Sequence, residues 1–174
     1  CCEHGQGVEQ ADVEAAKWYR AAAEQEYPRG ELCMGFCCER GRGVPVNKEE
    51  AAVWYRRAAE HGDEDGACCL GYLYETGVGV EQSWEDAVGW YRTAAEQGLP
   101  RAQCNLAWCY ENGLGLEKNL VRAAKWYQAA AEQGYAQAQC NLGVCYEYGS
   151  GVEKDLSRAV ELYQAAAEQG DRVA

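Results

Sequence analysis

The stretch Cys109-Tyr110-Glu111-Asn112-Gly113-Leu114-Gly115-Leu116 decides how the whole chain is read. Its Gly-x-Gly pair invites comparison with a phosphate-cradling loop. Such a loop needs a strand before the glycines and a helix opening on them, so that backbone amides converge on the phosphates. Neither is evident here. The pair recurs instead as Gly5-Gln6-Gly7-Val8, Gly41-Arg42-Gly43-Val44, Gly77-Val78-Gly79-Val80 and Gly149-Ser150-Gly151-Val152, always 36 residues apart. A site needed once is not usually built five times, whereas a repeat of this length marks a stacked array.

Outward from the glycines, apolar and small residues fall at helical spacing in two segments. The first, helix A, covers about residues 100–112, with Ala102, Leu106, Ala107 and Tyr110 on one face; the second, helix B, covers about residues 119–133. Helix B opens on Asn47, Ser83, Asn119 or Asp155, whose side-chain oxygen can accept an otherwise orphaned N–H. It closes on Gly62, Gly98, Gly134 or Gly170, at a left-handed position that is cheap for glycine; the first copy has Glu26 there. Gly113 is read as the same kind of stop for helix A, Gly115 as a continuation of the turn and Leu116 as its apolar anchor. Helix B also repeats Ala-x-x-Trp-Tyr-x-x-Ala-Ala, so Trp18, Trp54, Trp90 and Trp126 are expected to be framework residues buried between helices.

This pattern, Ala-x-x-x-x-Leu-Gly-x-x-Tyr-x-x-Gly-x-Gly-Val followed by Ala-x-x-Trp-Tyr-x-x-Ala-Ala-Glu-x-Gly, resembles the Sel-1-like repeat, a relative of the tetratricopeptide repeat. The resemblance covers essentially the whole chain. Departures are mild: Gly30 and Gly66 stand for alanine, Ala107 for glycine and Leu162 for tryptophan. The resemblance implies an all-α fold, an α/α solenoid in which antiparallel helix pairs stack into a right-handed superhelix. The expected division is a partial repeat at 1–27, repeats at 28–63, 64–99, 100–135 and 136–170, and the start of another at 171–174. The chain reads as an excerpt of a longer array.

Composition narrows the function. Net charge is −12, from 28 acidic and 16 basic side chains, which repels nucleic acid and anionic lipid and favours a neutral or basic partner. No apolar run approaches the length of a membrane span, so membrane insertion is not expected. Eleven cysteines raise the question of disulfides or metal, yet all of them fall in helix A. Equivalent cysteines of adjacent repeats should sit a helix-packing distance apart, about 8–10 Å, beyond the reach of a bridge. Cys33, Cys37, Cys38, Cys68 and Cys69 lack the paired Cys-x-x-Cys elements of a zinc site. No metal or cofactor is expected, and unpaired thiols favour a reducing compartment.

Catalytic material is sparse: His4 and His61 fall in turns, and the few serines and threonines sit mostly at caps or turns. No catalytic residue is assigned. Cysteine-rich relatives of the resembled family keep a β-lactam- or peptidoglycan-directed hydrolase open as an alternative, and a passive spacer as a third. Two acidic columns also stand out. Glu24, Glu60 and Glu96 in helix B follow Arg20, Arg56 and Arg92 by four residues, which predicts i,i+4 pairs. Glu39, Glu75, Glu111 and Glu147 end helix A with no such partner, leaving turn amides or a negative ridge for a basic partner.

Positions that change from repeat to repeat form a stripe with spacing i, i+4, i+7, i+11. They are Arg29, Cys33, Phe36 and Arg40; Asp65, Cys69, Tyr72 and Thr76; Arg101, Asn105, Trp108 and Asn112; and Gln137, Asn141, Val144 and Tyr148. In the resembled family the A helices line a concave wall and the arrays act as adaptors. The implied function is protein or peptide binding without catalysis, carried by Arg29, Phe36, Arg40, Asp65, Tyr72, Thr76, Arg101, Asn105, Trp108, Asn112, Gln137, Asn141 and Tyr148. The alternative for the bulky members is that they fill the wall against the next repeat.

Overall fold

A computed structural model describes residues 3–171. Its described residues form nine α-helices and no strand: α1 (Glu3–Ala23), α2 (Pro28–Arg40), α3 (Lys48–Glu60), α4 (Glu64–Thr76), α5 (Trp84–Glu96), α6 (Pro100–Asn112), α7 (Leu120–Glu132), α8 (Ala136–Tyr148) and α9 (Leu156–Asp171). Even-numbered helices are A helices and α3, α5, α7 and α9 are B helices. The chain divides into two compact units, Cys1–Ser83 and Trp84–Ala174. Inside each unit every helix packs on its neighbours in sequence, α1 to α4 in the first and α5 to α9 in the second. This is solenoid architecture.

The local rules account for the boundaries. Asn47, Asn119 and Asp155 accept the N–H of Glu50, Arg122 and Arg158 at 2.9–3.0 Å, closing the N-termini of α3, α7 and α9. The A-to-B turn is latched from behind: Asn119 N–H donates to the Tyr110 carbonyl at 2.8 Å, and Asn47 does the same to Cys38. Gly113, at φ 73°, caps α6 by donating to the Cys109 carbonyl. Glu26 takes φ 58°, the left-handed position that glycine fills in later copies.

The second glycine does more than continue the turn. A Cβ on Gly115 would penetrate the Trp84 carbonyl oxygen and lie 2.8 Å from the Glu85 nitrogen, so the turn rests directly on the first residue of the preceding B helix. Gly43, Gly79 and Gly151 make the same approach, to Asp12, Lys48 and Leu120.

The structure departs from the repeat pattern in its first and last helices. α1 runs unbroken through Gly5 and Gly7, where a turn between helix A and helix B is expected. α9 likewise continues through Gly170 to Asp171, with no A helix following among the described residues. Cys1, Cys2 and residues 172–174 lie outside the described residues.

The aromatic framework is shared differently from expectation. Tyr55, Tyr91 and Tyr127 are fully buried, whereas Trp54 is 8% exposed, Trp90 and Trp126 are half-buried and Trp18 is 70% exposed. Tyrosine fills the space between A and B helices, and the neighbouring tryptophan rides at its rim. Trp54 is covered because the Arg57 guanidinium lies 4.8 Å above its ring. Trp18 has Ala21 at the corresponding position.

Candidate functional site

Polar groups that recur are consumed by the framework. Tyr55, Tyr127 and Tyr163 donate their hydroxyls to Glu39, Glu111 and Glu147 at 2.7–2.8 Å. Burial first, and then the bond to carboxylate, push the Tyr55 and Tyr127 hydroxyls well above the usual tyrosine range, so they remain donors. The carboxylates that end these A helices are therefore tied to tyrosine in the following B helix, neither to turn amides nor to an open ridge. The i,i+4 pairs of helix B are also replaced: Arg20 reaches Glu50 in α3 at 3.4 Å, and Arg56 bonds the Tyr74 hydroxyl.

A second recurring pair sits beside the helix ends, with the A-helix partner buried. Gln133 donates to Gln103, and Gln169 to Gln139, both at 2.9 Å. In the first unit the same places hold His61 and Glu31, with His61 Nδ1 2.7 Å from Glu31 Oε2 and Arg57 Nε 3.0 Å from Oε1. Glu31 is fully buried. Its carboxylate accounts for His61, which thus belongs to a histidine–glutamate version of the Gln-Gln contact. This role was invisible in the chain because each partner lies 30 residues from the other.

The variable stripe lies elsewhere on the A helices. In the first unit Arg29 is exposed and pairs with Asp65 at 2.9 Å, tying α2 to α4. Phe36 is half-buried, edge-on to Tyr55 at 5.5 Å with the Arg40 guanidinium 5.7 Å from its ring, and so fills space as well as facing outward. Phe36 and Arg40, with Tyr19 and Arg42, line a groove of about 350 Å3 between α1 and α2. Tyr72 is 52% exposed; the hydroxyl of Thr76 turns back on the Tyr72 carbonyl at 2.8 Å.

In the second unit Arg101 and Asn112 are exposed, Asn105 is half-buried and Trp108 is 40% exposed. Trp108 stands 5.8 Å from Trp84, an aromatic neighbour that breaks the repeat pattern at the start of α5. The Asn112 amide donates to the Trp108 carbonyl at 2.9 Å. On α8, Gln137 bonds Asn141, whose amide lies 3.7 Å from the Cys104 sulfur. Tyr148 is 70% exposed and Val144 41%.

The Sel1 repeat profile matches residues 1–27, 31–63, 66–99, 100–135 and 136–171. The chain belongs to the Sel1 repeat family. Solved structures agree. A protective antigen of uropathogenic Escherichia coli displaying an SLR fold matches at 37% identity and TM-score 0.86, over 89% of this chain and 33% of that one. A Sel1 repeat protein from Oxalobacter formigenes matches at 37% identity and TM-score 0.85, over 91% and 63%. Helicobacter pylori cysteine rich protein B shares the fold at 24% identity and TM-score 0.61, over 75% and 94%. This chain spans a third of the first of these and under two thirds of the second. Among curated proteins none matches the sequence. Sel1 repeats generally serve as scaffolds for protein interaction, and no described helix is long and apolar enough to cross a membrane.

The thiols of this Sel1 array are packing groups. Cys33, Cys37, Cys38, Cys104, Cys140 and Cys145 are free. Burial raises the Cys104 and Cys145 thiols to about 11, and Cys38, also facing Glu50, to about 11. A thiol held so high is protonated at neutral pH and is a poor nucleophile. Among the described residues no group of histidine, cysteine and carboxylate side chains is arranged to hold a metal ion.

Proposed function

We propose that this Sel1 array is a non-catalytic adaptor whose A-helix faces bind a segment of a partner protein. The observation that carries the reading is a match between variation and exposure. Tyr55, Tyr91 and Tyr127 recur and are fully buried, whereas Tyr72, Trp108 and Tyr148 occupy columns free to change and are 40–70% exposed. Exposed aromatics of this kind dominate interface energetics when a partner desolvates them. The net charge of −12 steers a basic partner toward the surface over distances of a Debye length, about 8 Å at physiological salt, and does not oppose a neutral one. The unpaired cysteines favour a reducing compartment as its place of work.

The test begins with a partner captured by the 174-residue chain and identified. Trp108→Ala and Tyr72→Ala should then each weaken binding by ~2 kcal/mol or more, while Glu161→Ala on the outer side of α9 leaves it unchanged. Binding that is lost only in the α9 variant removes the A-helix face from consideration.

A further inference from the structure

On the B-helix side of the second unit a groove of about 590 Å3 opens between α5 and α7, with Tyr110 of α6 also in its lining. Arg92, Arg122 and Lys125 line it against one carboxylate, Glu96, in a chain whose net charge is −12. Arg122 is held over Tyr110, its guanidinium 5.6 Å from the ring and one nitrogen 3.3 Å from the hydroxyl. Arg92 and Lys125 make no ion pair within 4 Å among the described residues, and Glu96, one turn from Arg92, does not close on it.

The first unit shows what completes such a place. Two repeats earlier, Arg20 corresponds to Arg92, Glu50 to Arg122, Trp54 to Trp126 and Arg57 to Ala129. There the Glu50 carboxylate accepts from the Arg20 guanidinium at 3.4 Å and from the Trp54 indole N–H at 3.3 Å, while Arg57 covers the indole ring. In the second unit both closing elements are gone. Arg122 stands where the carboxylate was and Ala129 where the covering guanidinium was, so Arg92 and Trp126 retain the donors of the arrangement without its acceptor. The Trp126 indole N–H makes no hydrogen bond among the described residues, and its ring is half-buried.

We infer that this groove binds a single carboxylate presented by a partner polypeptide, between the Arg92 and Arg122 guanidiniums, with the Trp126 indole N–H as a further donor. Guanidinium–carboxylate bonds are charge-assisted and directional, so the site selects a carboxylate over an amide of the same shape. An aliphatic side chain next to the acidic one would cover the open face of Trp126. The global negative charge does not forbid one carboxylate inside a locally cationic groove, because exposed charges farther than about 8 Å are largely screened. It does disfavour polyacidic tracts and nucleic acid. The site uses B helices and stands independently of the A-helix reading.

The experiment follows the Trp126 indole resonance of the full 174-residue chain by 15N NMR, assigned with Trp126→Phe. The probes are acetyl-Leu-Glu-Leu-amide and its isostere acetyl-Leu-Gln-Leu-amide. The expected result is a saturable shift with the glutamate peptide and at least tenfold weaker binding of the glutamine peptide. Arg122→Glu, which recreates the first-unit arrangement, and Ala129→Arg, which covers the ring, should abolish the response while preserving helical circular dichroism. Arg92→Gln serves if either of those fails to fold, and it too should abolish the shift. Equal response to both peptides, no saturable shift with either, an unchanged shift in the Arg92→Gln protein, or a response to inorganic phosphate alone would overturn the inference.

Discussion

Replacing Gly115 by alanine should destabilise the protein far more than the same change at Gly134, although both glycines have a positive φ, 66° and 81°. The left-handed conformation costs a non-glycine residue about 1–2 kcal/mol, and that term is common to both sites. At Gly134 nothing lies within 4 Å of the new Cβ, so the cost ends there. At Gly115 the Cβ would overlap the Trp84 carbonyl oxygen and sit 2.8 Å from the Glu85 nitrogen, both backbone atoms with no rotamer to escape into. The turn must lift off the preceding helix, and overpacking of this kind adds about 1–3 kcal/mol. The expected totals are therefore about 2–5 kcal/mol for Gly115→Ala and about 1–2 kcal/mol for Gly134→Ala. Urea unfolding followed by circular dichroism at 222 nm measures both, with the midpoints compared at equal slope. Equal destabilisation by the two substitutions would refute the claim that the second glycine of each turn is a docking surface.

Four further outcomes are expected. Glu26→Gly should stabilise the protein by about 1 kcal/mol by relieving its φ of 58°; no gain in the unfolding midpoint would mean that Glu26 makes a compensating contact. Tyr127→Phe should cost about 1–3 kcal/mol, since it strips the half-buried Glu111 carboxylate of its donor, whereas Tyr148→Phe on the open surface should leave the midpoint in place. Cys104 and Cys145 ionise in the folded state at about 11 against an ordinary 9.0, so the unfolded chain loses these protons first as pH rises. Their contribution to stability is full below pH 9 and lost as the pH climbs through 11. The melting temperature should fall across that window, with a shallower slope in Cys104→Ala, and denatured, unreduced protein should react with a thiol reagent at all eleven cysteines.

Much of this was legible in the chain because the signals are local. A cap needs only an oxygen three residues before the N–H it accepts, so Asn47, Asn119 and Asp155 could be read directly. A left-handed stop needs only a residue without Cβ, so Gly113 could be read too, and the period of 36 supplied every copy at once. The same comparison between copies separated a buried framework from a stripe of changing residues on the A helices.

Tertiary structure alone decided which groups meet across helices. Glu39 and Glu111 lie 16 residues from the tyrosines that hold them, Glu31 lies 30 from His61, and Gly115 lies 31 residues after the Trp84 whose carbonyl it rests on. Arg20 had an acidic residue one turn away, yet the packing of α1 and α3 brought Glu50 within its reach. The exchange of Glu50 for Arg122 is visible in the alignment of repeats as a change of sign. Its consequence, a cationic groove beside an open tryptophan, required the helix B register to set Arg92, Arg122 and Trp126 side by side. Helices and turns follow from interactions a few residues long, which a sequence carries explicitly. Pairings of long side chains depend on interhelical register, and that exists only once the repeats have stacked.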